Sequence, residues 1–288
     1  MKRPSRARRS RRRKARARSP LPAAARRAGR AVARLYRAAP PAVRGLAVAA
    51  ACTLLALAVN WVYQVIRKPS ELWFPVSGLL EKTPEETWVA YGHLFRRHST
   101  AIMTPDLLAA LAQVEGSGNP VARTYWRFSL TSRPFEVYRP ASSGVGMYQI
   151  TNGTFAEARR YCIHDHRVAE VGPWYAWRSC WFNALYTRVV PSHAVELTSA
   201  YLHRAVERTL ARQRIGGASL EQQRRLAAVI HLCGAGAGAR FAARGFAFAP
   251  AERCGAHDAA RYVARVERLR ERFRRLAGPT VRPATTAS

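Results

Sequence analysis

Residues 112–120, AQVEGSGNP, end an apolar helical run on a carboxylate, Glu115, and pass at once into Gly116, Ser117, Gly118, Asn119 and Pro120. A solvated helix terminus would account for a lone acid. A general acid asks for the same residue type at the rim of a cleft, where partial burial disfavours the charged form and raises the pKa towards the working pH. Glu115 lies seven residues beyond Leu108 and four beyond Leu111, so it projects from the edge of the buried stripe. The nearest acids in the chain, Asp106 and Glu136, fall elsewhere on the helix and in an aromatic segment, so the spacing offers one carboxylate rather than a hydrolytic pair.

The elements that must position Glu115 read as helices. Thr104, Pro105 and Asp106 open the helix that carries it, and Leu107, Leu108, Leu111 and Val114 recur at helical spacing. Thr83, Pro84, Glu85 and Glu86 open an earlier helix over 83–99, whose role is packing or a lid. From Val121 to Ser143 the pattern breaks into a loop or short hairpin carrying Tyr125, Trp126, Phe128, Phe135 and Tyr138. A glycine-containing turn then leads into Gly146, Met147, Tyr148, Gln149 and Ile150, and Gly153 and Thr154 open another helix. Further helices are expected over 192–213, 220–236, stopping at glycines, and 257–276. Strand signals are few, so the fold class is mainly α.

Upstream, the chain changes character. The first 70 residues hold 19 of the 48 Lys+Arg and no acid, leaving 29 basic against 17 acidic residues in the remainder. Gly45–Ile66 is an apolar run of 22 residues whose distinctly polar members are Asn60 and Gln64, enough to cross a hydrocarbon core of about 30 Å. The reading is a single transmembrane helix. Trp61 and Tyr63 suit the interface at its far end, and the arginines before it predict a cytoplasmic N-terminus with the remainder outside. A cleaved signal peptide competes poorly, because about 44 residues precede the apolar run and no small-x-small site follows Ile66. Cys52 has most of the apolar run after it, unlike a lipid-anchor cysteine.

The charge of the tail suits polyanions in general. A nucleic-acid-binding arm is the competing reading, but no aromatic interleaving or folded reader accompanies the tract, and orientation with membrane-surface attraction accounts for it. The expected organisation is a basic, largely disordered cytoplasmic tail over 1–44, a signal-anchor helix over 45–66, a linker and accessory helix over 67–100, a catalytic domain over 101–276 and a disordered tail over 277–288. Beyond Cys52, the cysteines are Cys162, Cys180, Cys233 and Cys254, an even number that suits disulfides in an exported domain. Their order favours Cys162 with Cys180 and Cys233 with Cys254, though three pairings exist. Metal binding with His164 and His166 is the alternative, and C-x-H-x-H followed by a distant Cys matches no common zinc spacing. No cofactor or metal is called for.

The ordered pieces resemble the lytic transglycosylases with the soluble-transglycosylase domain, which share the lysozyme-like fold with goose-type lysozymes. Glu115, Asn119 and Pro120 match the family's catalytic helix end; Gly146, Met147, Tyr148 and Gln149 match its Gly-Leu-Met-Gln segment; Gly153 and Thr154 match its helix start. Cys233-Gly234 stands where an Ala-Gly would, and Tyr262-Val263 matches the last helix. The resemblance covers about 101–275.

It implies that Glu115 protonates the oxygen bridging N-acetylmuramic acid and N-acetylglucosamine, then takes a proton from the C6 hydroxyl as a 1,6-anhydro ring closes. Gln149 and the backbone at Met147 would orient the sugar acetamido group, Gly146 would allow close approach, and Asn119 would fix the turn. Two departures stand out. The family's serine after the acid is Gly116, so either Ser117 substitutes as a glycan contact or that contact is missing. The aromatic residue that touches the acid in the family falls on His231, where a charged imidazole would oppose the acid role. A helix-packing histidine is the equal alternative there. Tyr125, Trp126 and Tyr138 could stack on sugar faces or pack in the core.

The implied function is a membrane-anchored peptidoglycan lytic transglycosylase on the periplasmic side of a bacterial inner membrane, with glycan strands as partner and no nucleic acid. The same fold could carry a lysozyme-type muramidase, or an inactive peptidoglycan-binding envelope scaffold.

Overall fold

A computed structural model of the chain describes residues 23–73, 76–173, 175–176 and 179–278, and divides it at Val59 and Asn60 into two compact units. In the first, α1 (Ala23–Ala38) is helical where a disordered tail was expected. Alanine at seven of its positions and arginines spaced three and four apart favour a helix, so the described part of the tail departs from the expectation. The rest of the basic tract, 1–22, and most of the C-terminal tail, 279–288, lie outside the described residues. α2 (Pro41–Arg67) begins four residues before the expected span and contains all of it. Its apolar window is exposed throughout, and by length and composition it can cross a membrane.

The second unit begins with Asn60 and holds the remaining helices: α3 (Pro84–Arg97), α4 (Pro105–Gly116), α5 (Asn152–Ala158), α6 (Pro191–Arg212), α7 (Leu220–Ala243) and α8 (Ala259–Ala277). The fold is predominantly α-helical. Among the described residues, three antiparallel two-stranded ladders join the helices: β1 (Trp126–Phe128) with β2 (Tyr138–Pro140), β3 (Tyr161–His164) with β4 (Arg167–Glu170), and β5 (Arg253–Cys254) with β6 (His257–Asp258). The second and third ladders were not expected from the sequence, and His257 and Asp258 form a strand where a helix start was expected. In the second, Asp165 and His166 sit at the turn, both at positive φ, which suits the twist of a tight hairpin.

α4 is the centre of this unit. An apolar stripe was expected, yet Leu107 to Ala112 are all buried, because alanines at 109, 110 and 112 let neighbours approach every side. α3 packs against α4 and α8 through Trp88 and Phe95, so it belongs to the core rather than acting as a lid. Thr83 closes a capping box with Glu86 at the start of α3, as its sequence suggests. Thr104 occupies the corresponding position before α4, but its buried hydroxyl makes no hydrogen bond.

α7 is also long and apolar enough to span a membrane, but half of its apolar window lies in the core. It does not stop at the glycines. Gly234 breaks it at φ +79° and the helix resumes to Ala243, with Gly238 close against Ile230. Disulfides join Cys162 to Cys180 and Cys233 to Cys254, with Cα atoms 5.4 and 5.3 Å apart, which selects the local pairing and the disulfide reading over the metal one.

Candidate active site

Glu115 leaves the core at the last turn of α4, its side chain 18% exposed. The helix ends because Ser117 adopts the left-handed conformation, its N–H closing on the carbonyls of Ala112 and Gln113. Asn119 then fixes the following turn. Its side-chain oxygen accepts from the Val121 N–H at 2.9 Å and its amide donates to Ser77 O at 2.6 Å.

Two side chains from other helices meet Glu115. The Tyr262 hydroxyl, in the first turn of α8, donates to Glu115 Oε1 at 2.5 Å. Burial, the Glu115 charge and this hydrogen bond together push the Tyr262 pKa well above its ordinary value, so the phenol stays a donor. His231 Nε2, from α7, lies 3.7 Å from the same oxygen, beyond hydrogen-bond reach. Its pKa is lowered by burial, against the opposing pull of Glu115, so the imidazole is neutral near pH 7 and brings no positive charge to the acid. Oε2 of Glu115 makes no hydrogen bond with the described residues.

The segment after Gly146 closes the other side. Gly146 sits at φ +77°, where an added Cβ would lie 2.4 Å from Arg188 O. It therefore permits approach of the protein's own backbone. Arg188 Nη1 donates to Ser143 O and Ile150 O, pinning the two ends of this loop. Tyr148 is buried, donates to Leu108 O in α4 at 3.1 Å and meets the His231 ring edge-on. Met147 is also in the core, and its backbone is what lies near the acid helix.

That approach explains the first departure from the family pattern. A Cβ on Gly116 would stand 2.9 Å from Met147 Cα and 3.0 Å from Ala122 Cβ, so no serine fits there without displacing backbone.

A cavity of about 210 Å³ opens beside His231, lined among others by Tyr148, Gln149, Thr151, Tyr201 and Gly234; among the described residues no carboxylate lines it, Glu115 included. Of the expected binding residues, Tyr148, Gln149 and His231 come together there. Gly146 and Met147 do not line it. Ser117 does not join them; its carbonyl accepts from Lys82 N, which ties it to the segment entering α3. Gln149 lines the cavity, but its amide nitrogen is taken by Ala122 O at 3.0 Å and Gly146 O at 2.9 Å, so the amide stiffens the loop. Tyr125, Trp126 and Tyr138 do not line this cavity. Trp126 donates to Glu71 and its ring packs on Tyr138.

In the sequence, Tyr262 belongs to a helix motif that gives it no role of its own. Its signal is the helical spacing of Ala259, Tyr262, Val263, Val266 and Phe273, which puts the phenol on the apolar face of α8. What could not be read was that α8 crosses the end of α4. No family model matches the chain, and no curated protein is significantly similar to it.

Proposed function

We propose that the protein is a peptidoglycan lytic transglycosylase, anchored by α2 in the bacterial inner membrane with its catalytic unit in the periplasm and built on a lysozyme-like fold. The observation that carries this reading is the Glu115 carboxyl at the end of α4, held by the Tyr262 hydroxyl and approached by His231, whose ring also lines a cavity with no carboxylate among its described lining residues. An inverting hydrolase requires a second carboxylate to activate water and a retaining one requires a carboxylate nucleophile. Ring closure by the sugar's own C6 hydroxyl requires neither.

In this mechanism Tyr262 occupies Oε1, which leaves the acidic proton on Oε2. That proton passes to the glycosidic oxygen as the bond from the muramoyl C1 breaks. The Glu115 carboxylate, now accepting from Tyr262, takes the proton of the C6 hydroxyl while O6 bonds to C1, and the acid is regenerated. A neutral His231 leaves the acid form undisturbed by a neighbouring cation. The basic surface of the chain attracts the anionic polymers of a cell envelope.

The test is digestion of purified sacculi with the full-length protein and mass analysis of the released fragments. The expected products carry 1,6-anhydromuramic ends, and Glu115→Gln releases none. Products heavier by one water would assign a muramidase instead, and sacculus binding without release by the wild type would assign a scaffold.

A further inference from the structure

Asn60 and Gln64, the polar members of the apolar run, both serve one hairpin. Asn60 Nδ2 donates to Tyr138 O and Gln64 Nε2 to Phe135 O, each at 2.7 Å, and Tyr63 stacks on Phe135 with ring centroids 4.7 Å apart. Directly after the helix, the fully buried Glu71 pairs with Lys68 at 3.1 Å and accepts from Arg123 and from the Trp126 indole at 3.0 and 2.8 Å. The β1–β2 hairpin is thereby fixed along the last two turns of α2.

This sets its height. Asn60 lies six residues before Ile66, about 9 Å along a helix axis at ~1.5 Å per residue. Tyr138 bonds at that level, and Phe128 is its cross-strand partner. Phe128 is 67% exposed, so an apolar side chain faces outward at a depth where the span is still within a bilayer, and Leu130, two residues on, is 91% exposed.

The opposite face of the hairpin is cationic. Arg127 and Arg139 are direct cross-strand partners, an arrangement of like charges that is unfavourable unless an anion lies between them. With Arg67 and Lys68 they line a pocket of about 250 Å³ that contains one carboxylate, Glu136, and the hydroxyl-bearing Ser142 and Ser143. Lys68 is already committed to Glu71, and Glu136 to Arg133 and Arg139 at 3.1 and 3.6 Å. Arg139 Nε is buried without a hydrogen-bond partner.

We propose that the β1–β2 hairpin lies at the outer leaflet of the membrane and holds an anionic phospholipid, its phosphate between Arg67, Arg127 and Arg139, while Phe128 on the opposite face enters the acyl region. The proposal rests on α2 being a membrane span and is independent of the glycan chemistry.

The test places the full-length protein in phosphatidylcholine nanodiscs. These carry a trace of photoactivatable acyl-chain probe, on phosphatidylglycerol in one sample and phosphatidylcholine in the other, and the crosslinked peptides are mapped. The expected result is labelling of α2 by both probes and labelling of residues 128–139 about fivefold or more stronger from the anionic probe. Arg127→Gln/Arg139→Gln abolishes that preference while α2 labelling and both disulfides persist, which shows that the fold is intact. Excess inorganic phosphate leaves the preference unchanged if the lipid is the ligand; its loss would assign the pocket to a free anion and overturn the proposal. An unlabelled hairpin beside a labelled α2, or equal labelling by the two probes, overturns it too while leaving the membrane reading standing. An unlabelled α2 overturns both.

Discussion

At the scale of single residues, the chemistry turns on what surrounds one carboxyl group. Tyr262 and His231 approach the same oxygen, one as an obligate donor and the other as a neutral imidazole held off at 3.7 Å. Removing the phenol in Tyr262→Phe deletes a hydrogen bond to a group that is charged midway through the proposed reaction, a loss of about 1.5–3 kcal/mol. Release of anhydro products is therefore expected to fall about tenfold to a hundredfold, with sacculus binding unchanged; steady-state assays on soluble glycan fragments measure this. Gly116 bears on stability. Restoring the family's serine in Gly116→Ser forces Met147 and Ala122 away and is expected to cost about 1–3 kcal/mol in denaturant unfolding. An unchanged midpoint would show that the close approach of these segments is not required.

At the scale of elements, the break in α7 and the start of α8 form one device. Cys233 lies two residues after His231, just before the break at Gly234, and its partner Cys254 is in β5, which pairs with β6. Asp258 at the end of β6 caps α8 by accepting from Arg261 N at 2.8 Å, and Tyr262 follows in that first turn. The disulfide thus couples the two helix segments that deliver both neighbours of Glu115. A Cys233→Ser/Cys254→Ser variant is expected to lose about 2–4 kcal/mol of stability, the usual effect of opening a loop of this size. It should also lose activity before it unfolds, because both segments then shift independently. Removing Cys162–Cys180, which braces the β3–β4 hairpin, is expected to lower stability comparably without that separate loss of activity; parallel thermal and turnover measurements distinguish the two.

At the scale of the whole molecule, buried and partly buried histidines are expected to shape the response to acid. His98, His203 and His231 all have pKa values lowered chiefly by burial, with Glu196, Glu207 and Glu115 respectively pulling the other way. Below the ordinary histidine value of about 6.5 the unfolded chain binds protons that the folded chain resists, so stability present above that pH is lost as the pH falls. The thermal midpoint is expected to be level from about pH 8 to 7 and to decline below about 6.5, before the carboxylates begin to titrate. His98→Gln should flatten part of that decline. A profile level down to about pH 5 would contradict the burial described for these groups.

Much of this was legible along the chain. The caps at Thr83 and Asn119's turn, the apolar run of α2, the lone acid at a helix end and the pairing order of the cysteines are all local: each depends on residues within a few turns, and local hydrogen bonding and helical periodicity decide them. The sequence by itself thus determined a mainly helical chain, a long exposed apolar helix and a single candidate acid.

Only the tertiary structure decided what surrounds that acid. Tyr262 is separated from Glu115 by 147 residues, and their contact exists because alanines in α4 let α8 pack across it. It also decided that Gly116 makes room for Met147, that Ser117 does not line the cavity, and that the aromatic segment serves α2 rather than the cavity. These outcomes depend on how close two backbones come and on which helix face meets which neighbour. Such distances are set by close packing of the whole core, and no short window of sequence encodes them.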